Sequence, residues 1–116
     1  MGVMLLVSDV GASVAFYRDM LGLSVVAESP ESAMLSFPGG RVHLQRHPNM
    51  SRVDRRVAHP KIPVADVHEA YRRLIDLGVQ FSRAPRRDRV APGLDLITAT
   101  LLDPDGHAIQ LVQEES

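Results

Sequence analysis

Apolar residues recur at helical spacing in two segments of the chain. In the first segment, steps of four and three residues separate the members of one stripe: Val10, Val14, Tyr17 and Leu21. In the second segment the same spacing joins Val67, Tyr71 and Leu74. Asp9 and Asp66 precede the stripes and can each cap a first turn, and Glu69 completes a capping box with Asp66. Gly22 and Gly78 follow them and suit left-handed helix ends. The pattern predicts two amphipathic helices with buried tyrosines.

Short apolar runs after each helix are typical of strands. The first helix is followed by Leu23–Ala27, Ala33–Phe37 and Arg41–Gln45, and the second by Val79–Ser82, Leu96–Leu102 and Ala108–Val112. Asp103-Pro104-Asp105-Gly106 has the proline and glycine positions of a type I turn. The stretch 83–95 is rich in arginine and proline, and we expect it to form a long loop.

The two segments belong to an internal repeat. Shifting the sequence by 57 residues places Val7-Ser8-Asp9-Val10 on Val64-Ala65-Asp66-Val67, and each is followed by a helical stripe and Leu-Gly. The repeat predicts an α+β fold of two tandem βαβββ modules that share a core within one domain, 1–116. Module one spans 1–46, a linker spans 47–57 and module two spans 58–116.

Strand alternation divides polar from apolar residues in three of these strands. Val42 and Leu44, Ile62 and Val64, and Ile109 and Leu111 should face the helices. The opposite faces then carry the candidate ligand-binding residues, which are Arg41, His43, His59, Lys61 and Gln110. If these faces meet, they line a polar to basic cavity that suits an anionic or carbonyl-bearing small molecule. His47, His68 and His107 are expected at the surface.

Charge and composition narrow the possible partners. The 116 residues carry a net charge near −1, no cysteine, twelve arginines and a single lysine, Lys61. These values argue against a nucleic-acid or membrane partner and exclude disulfides and thiol chemistry. The absence of a basic, apolar leader pattern predicts a cytoplasmic location. Two arginine clusters, 52–56 and 83–89, are expected in solvated loops, and the alternative is an anion-binding rim.

Three stretches resemble the vicinal oxygen chelate superfamily of glyoxalases, bleomycin-resistance proteins, fosfomycin-resistance enzymes and extradiol dioxygenases. They are VSDVGASVAFYRDMLGL from Val7, VADVHEAYRRLIDLGV from Val64 and DPDGHAIQLVQ from Asp103. The resemblance implies that both modules curl into a cup-shaped open barrel and that two chains pair as a homodimer. Membership of such a superfamily does not identify the reaction that a protein catalyses.

The resemblance also implies four metal-ligand positions, two in each module, but the residues here depart from the usual set. The first position falls on Gly2, which has no side chain, and the others fall on His43, His59 and Gln110. Gln110 stands where active members carry a glutamate. A site built on His59, His43 and Gln110 would therefore hold a divalent metal (nickel, zinc, iron or manganese) without a carboxylate.

Three hypotheses of function follow. The leading one is a metal-independent protein of the glyoxalase and bleomycin-resistance type that binds a small molecule without a resident cofactor. The second is a divergent metal-dependent lyase, isomerase or dioxygenase that uses His59, His43 and Gln110. The third is a protein-binding module with an empty cup. The sequence identifies no catalytic residue.

Overall fold

The two predicted helices begin at their aspartate caps. The computed structural model describes residues 2–53 and 59–115. Helix α1 (Val10–Ala15) continues into a π-helical turn (Phe16–Met20), and the Asp9 carboxylate accepts a hydrogen bond from the Ala12 amide at 3.1 Å. Helix α2 (Val67–Asp76) begins in the same way, with Asp66 accepting from the Glu69 amide at 3.1 Å. Both caps therefore satisfy amides that the helix itself leaves free.

Module one forms a four-stranded mixed sheet beneath α1. Its strands are β1 (Gly2–Val7), β2 (Ser24–Glu28), β3 (Ser32–Phe37) and β4 (Gly40–Arg46). They lie in the order β1-β4-β3-β2, with β1 parallel to β4 and the remaining pairs antiparallel. This is the predicted βαβββ arrangement.

Module two repeats this topology. Its strands are β5 (Lys61–Pro63), β6 (Phe81–Ala91), β7 (Leu94–Leu102) and β8 (Ala108–Glu115), in the order β5-β8-β7-β6. The predicted loop at 83–95 is wrong, because these residues form most of a hairpin between β6 and β7 that turns at Pro92-Gly93. Gly93 has φ +81°, which Gly adopts without strain in such a turn.

One apolar core joins the modules. It includes the residues that strand alternation assigned to the helix side, among them Val42, Leu44, Ile62, Ile109 and Leu111, and Val64 packs against it. The two sheets do not close into a barrel, so each keeps one open face, as expected for an open cup. No helix in the described part of the chain is long and apolar enough to cross a membrane.

A buried carboxylate links the two modules. The Tyr17 hydroxyl of module one donates to Asp103 Oδ2 at 2.7 Å, while Asp103 Oδ1 accepts from the amides of Asp105 and His107 at 3.0 and 2.8 Å. The predicted turn is formed, since the Gly106 amide donates to the Asp103 carbonyl at 3.0 Å. Asp103 is 5% exposed and Tyr17 is fully buried. We call these contacts the Asp103 junction.

His107 is part of the same junction, and its predicted surface position is wrong. Its side chain is 3% exposed, and Nε2 lies 2.7 Å from the carbonyl oxygen of Leu6 in β1. Because a carbonyl only accepts, Nε2 carries the proton in this bond. The imidazole is buried because it pairs with a strand 101 residues away in sequence, which a local pattern does not reveal.

Removing the Tyr17 hydroxyl tests the Asp103 junction. Tyr17→Phe leaves one buried carboxylate oxygen without its donor, so the free energy of unfolding should fall by about 1–3 kcal/mol. Urea denaturation at neutral pH measures this change. Tyr71→Phe is the matched control, because the Tyr71 ring packs edge-on against Phe81 and its hydroxyl has no hydrogen bond to the described residues. A loss of equal size in the two variants would contradict the role of the junction.

The same contact predicts a specific alkaline instability. Burial, reinforced by the Asp103 carboxylate, raises the pKa of Tyr17 well above its usual value. The stabilisation is therefore fully present below the unfolded pKa of about 10 and is lost above it, at up to about 1.4 kcal/mol per pH unit. Unfolding free energies measured from pH 8 to 11 should fall more steeply for the wild type than for Tyr17→Phe. Parallel curves would disprove this assignment.

Candidate functional site

A row of polar side chains crosses the open face of the second sheet. The strand register places Lys61 opposite Gln110, Gln110 opposite Thr100, and Thr100 opposite Arg83. The row therefore crosses the strands in the order β5-β8-β7-β6. It has a cation at each end, with an amide and a hydroxyl between them. We call it the module-two row.

The module-two row borders a hollow of about 320 Å³. The hollow is lined by His59, Lys61, Thr100, Ala108 and Gln110. His59 and Lys61 are exposed, whereas Gln110 and Thr100 are half-buried. The His59 ring approaches the Ala108 carbonyl with Nδ1 at 3.4 Å. The structure thus brings together three of the five predicted site residues: His59, Lys61 and Gln110.

The other two predicted residues lie on the first sheet. Arg41 and His43 line a hollow of about 540 Å³ together with Met4 and Met34. His43 is half-buried and pairs in register with Met4 on one side and Met34 on the other. The pocket is open, and Met4 is 56% exposed. The two hollows share no lining residue in the described parts of the chain.

The register shows that the hollows are equivalent positions of the repeat. Module one carries the row Met4, His43, Met34 and Ala27 in the strand order that module two uses for its own row. His43 therefore corresponds to Gln110, and Met4 corresponds to Lys61. The two rows therefore differ in chemistry, because Met4 and Met34 of module one stand where module two has Lys61 and Thr100.

The side chains in one chain do not fit a divalent metal. His59 and Gln110 share a hollow, but His43 lies in the other hollow, and Gly2 supplies no donor. Within residues 2–53 and 59–115 no group of three His, Cys, Asp or Glu side chains converges to hold an ion. The candidate donors are imidazoles and an amide, whereas hard or borderline divalent ions favour sites that include carboxylate charge.

Most arginines of the β6 hairpin are neutralised by ion pairs. Arg87 contacts Glu115 at 2.6 Å and Asp95 at 3.2 Å, and Arg89 contacts Asp95 at 3.1 Å. These contacts hold the pKa of Arg87 above its usual value, with the Glu115 hydrogen bond as the main cause. Such exposed pairs contribute little to stability but offset the local charge. The hairpin is therefore not a free cationic rim.

Arg86 and Arg83 lie on the open face, and only the first is paired. Arg86 contacts Asp88 at 3.0 Å. Arg83 has no carboxylate within ion-pair distance among the described residues and is half-buried. Of the other arginine cluster, Arg52 is exposed in a 3-10 turn (Met50–Arg52), and Arg55 and Arg56 lie outside the described residues.

Sequence reasoning missed Thr100, which lines the hollow, and Arg83, which ends the module-two row. Thr100 lies in a run of apolar residues and lines the hollow because it alternates with buried Ala99 and Leu101. That alternation was the available signal for Thr100. Arg83 falls in the segment interpreted as a loop, so its strand position and facing direction could not be assigned.

Solved structures share this architecture. A glyoxalase/bleomycin resistance protein/dioxygenase from Alicyclobacillus acidocaldarius superposes with a TM-score of 0.75 at 20% identity, covering 100% of this chain and 91% of that chain. Lactoylglutathione lyase from Agrobacterium tumefaciens gives 0.70 at 21% identity, with 97% and 91% covered. TioX from Micromonospora sp. ML1 gives 0.72 at 20% identity, with 97% and 96% covered. Identities this low establish the fold and leave the reaction open.

The sequence comparison agrees with the structural one. No curated protein sequence matches the chain. Residues 2–111 match the family model described as the Glyoxalase/Bleomycin resistance protein/Dioxygenase superfamily. On this match and on its paired βαβββ fold, the chain belongs to the glyoxalase/bleomycin resistance protein/dioxygenase superfamily.

Proposed function

We propose that this protein binds a small anionic or carbonyl-bearing molecule in the module-two hollow, without a resident metal. The observation that carries the proposal is the adjacency of Lys61 and Gln110, which are register neighbours on an open sheet face and line one hollow. Lys61 has no carboxylate partner among the described residues. Its charge is therefore available to a ligand.

The chemistry of the lining groups fits such a molecule. The Lys61 ammonium donates charge-assisted hydrogen bonds to an oxyanion, and the Gln110 amide and Thr100 hydroxyl can donate to a carbonyl oxygen. The Gln110 amide and the Thr100 hydroxyl do not act as general bases. The lining therefore supports binding and orientation of a ligand.

We further propose that two chains pair so that their open faces complete a closed cavity. Each hollow is open in the single chain, and His43 with Arg41 would supply the second wall from a partner. That wall adds an imidazole to the cavity but no carboxylate. Met4 exposes an apolar side chain on the open face beside His43, in a position that a second chain would cover. Burial of this face would strengthen the electrostatic contacts inside the cavity.

Ligand binding can be followed directly at Lys61, because it is the only lysine in the sequence. Reductive ¹³C-methylation labels its amine and the chain terminus alone. Titration with pyruvate, which has both a carbonyl and a carboxylate, should shift the Lys61 signal and the Gln110 side-chain amide signal. Lys61→Gln should weaken binding by about tenfold, the typical value of one charge-assisted hydrogen bond.

Arg72→Gln is the matched control for that titration. It removes one positive charge from an exposed site on α2 of the same module. Equal losses in the two variants would indicate a non-specific effect of removing one positive charge. Shifts confined to residues of the module-one hollow would contradict the proposed site.

The pairing of chains predicts a mass near twice 12.8 kDa in sedimentation equilibrium. Met4→Glu places a charge on the face that we propose is covered, and it should raise the dimer dissociation constant at least about tenfold. Ile75→Glu is the control, because Ile75 is 44% exposed on the outer helix α2. A monomer at all concentrations, or equal weakening by both variants, would overturn the proposed pairing.

A further inference from the structure

One extra residue in β6 decides which side chain this strand places on the open face. Phe81 pairs with Leu101, but Arg83 pairs with Thr100, so two residues of β6 advance against one residue of β7. Without this bulge, Arg83 would lie opposite Ala99, whose side chain is buried in the core. Side chains alternate between faces at every residue, so the bulge moves Arg83 from the core face to the open face.

The hydrogen bonds of the Arg83 guanidinium agree with a side chain on the open face. Its Nη2 donates to Thr98 Oγ1 at 2.7 Å and lies 3.5 Å from Thr100 Oγ1, while Nη1 donates to the carbonyl oxygens of Thr98 and Ala84 at 3.3 Å. All four acceptors are uncharged. They fix the position of the guanidinium but leave its positive charge without a counter-charge.

The carboxylate that shares the Thr98 hydroxyl with Arg83 is already engaged. Asp88 accepts from the Thr98 hydroxyl at 3.3 Å and pairs with Arg86 at 3.0 Å. The Thr98 hydroxyl therefore stands between Asp88 and Arg83, and the Asp88 charge is shared with another arginine. A half-buried cation without its own counter-charge is costly, and a bound anion would offset that cost.

The corresponding position of module one provides an internal comparison. The same bulge recurs there, since Val25 pairs with Leu35 and Ala27 pairs with Met34. The residue placed on the open face by that bulge is Ala27, where module two has Arg83. The bulge is thus a feature of the repeated unit, whereas the cation belongs to module two alone.

We infer that Arg83 and Lys61 together form an oxyanion subsite above Thr100 and Gln110, so the ligand of the module-two hollow carries a carboxylate or phosphate group. This inference rests on the proposed function and narrows its ligand class. The Cα atoms of the two cations are separated by three strand spacings, roughly 14 Å. Their long side chains can therefore approach one oxyanion from opposite sides. The Nε–H of Arg83 has no hydrogen bond to the described residues, so it can donate to such an oxyanion.

The test is calorimetric titration of the full chain with inorganic phosphate and, separately, with glutarate. Arg83→Gln should weaken binding of the preferred probe by about tenfold or more, and Arg83→Lys should recover part of that loss because it keeps the charge. Arg72→Gln should stay within about twofold of the wild type, since a distant exposed charge contributes little. Stronger binding of phosphate assigns a tetrahedral oxyanion, and stronger binding of glutarate assigns a carboxylate.

A second measurement does not depend on any variant folding correctly. In ¹⁵N-labelled wild-type protein, the Arg83 Nε–Hε signal should shift on addition of the bound probe, while the Arg89 signal should not. Unchanged affinity in Arg83→Gln with a loss in Lys61→Gln would overturn the inference and leave the proposed function standing. If neither probe binds the wild type, or Arg72→Gln loses as much as Arg83→Gln, the oxyanion subsite is wrong.

Discussion

The arrangement of both modules depends on one buried carboxylate. Asp103 accepts the Tyr17 hydroxyl from module one while its other oxygen organises the turn that precedes β8. Because that turn also presents His107 to the Leu6 carbonyl, one end of β8 is tied to β1 and to the helix of the first module. The strand that carries Gln110 is therefore positioned by residues of both halves. A buried charge of this kind is stable only when its oxygens are fully paired, which these contacts achieve.

Much of the fold was predictable because it follows from local periodicity. The capping aspartates, the helical stripes and the faces of β4, β5 and β8 all obey regular spacing, and the structure confirms them except at Tyr71. Tyr71 was predicted to be buried and is half-buried. Two features did not follow from local rules. The β6 segment contains arginines, Pro85 and three register shifts, so no regular alternation marks it as a strand. His107 looks like a turn residue, and its burial depends on an acceptor in β1.

The candidate site was predictable in part for the same reasons. Alternation correctly placed Lys61 and Gln110 on one open face, and the register makes them neighbours. It did not show that Arg41 and His43 belong to a separate hollow, because the relative position of two sheets is set by long-range packing. Whether the five predicted residues act in ligand binding stays a prediction. Thr100 shows that a polar residue within an apolar run can indicate which face of a strand is open.

The chemistry of each hollow is set independently of the fold. At Gly2 an added Cβ would meet only the Arg41 carbonyl oxygen, at 3.9 Å, which is an ordinary contact. Packing of the described residues therefore does not forbid a side chain at position 2. A glutamate at position 110 would also fit, because it has nearly the same shape as the glutamine. The same backbone could therefore carry a different set of donor side chains. The cations of module two are a property of its sequence and are not required by the backbone. What the backbone contributes is the bulge in β6, because one extra residue decides whether position 83 faces the core or the open face of the sheet.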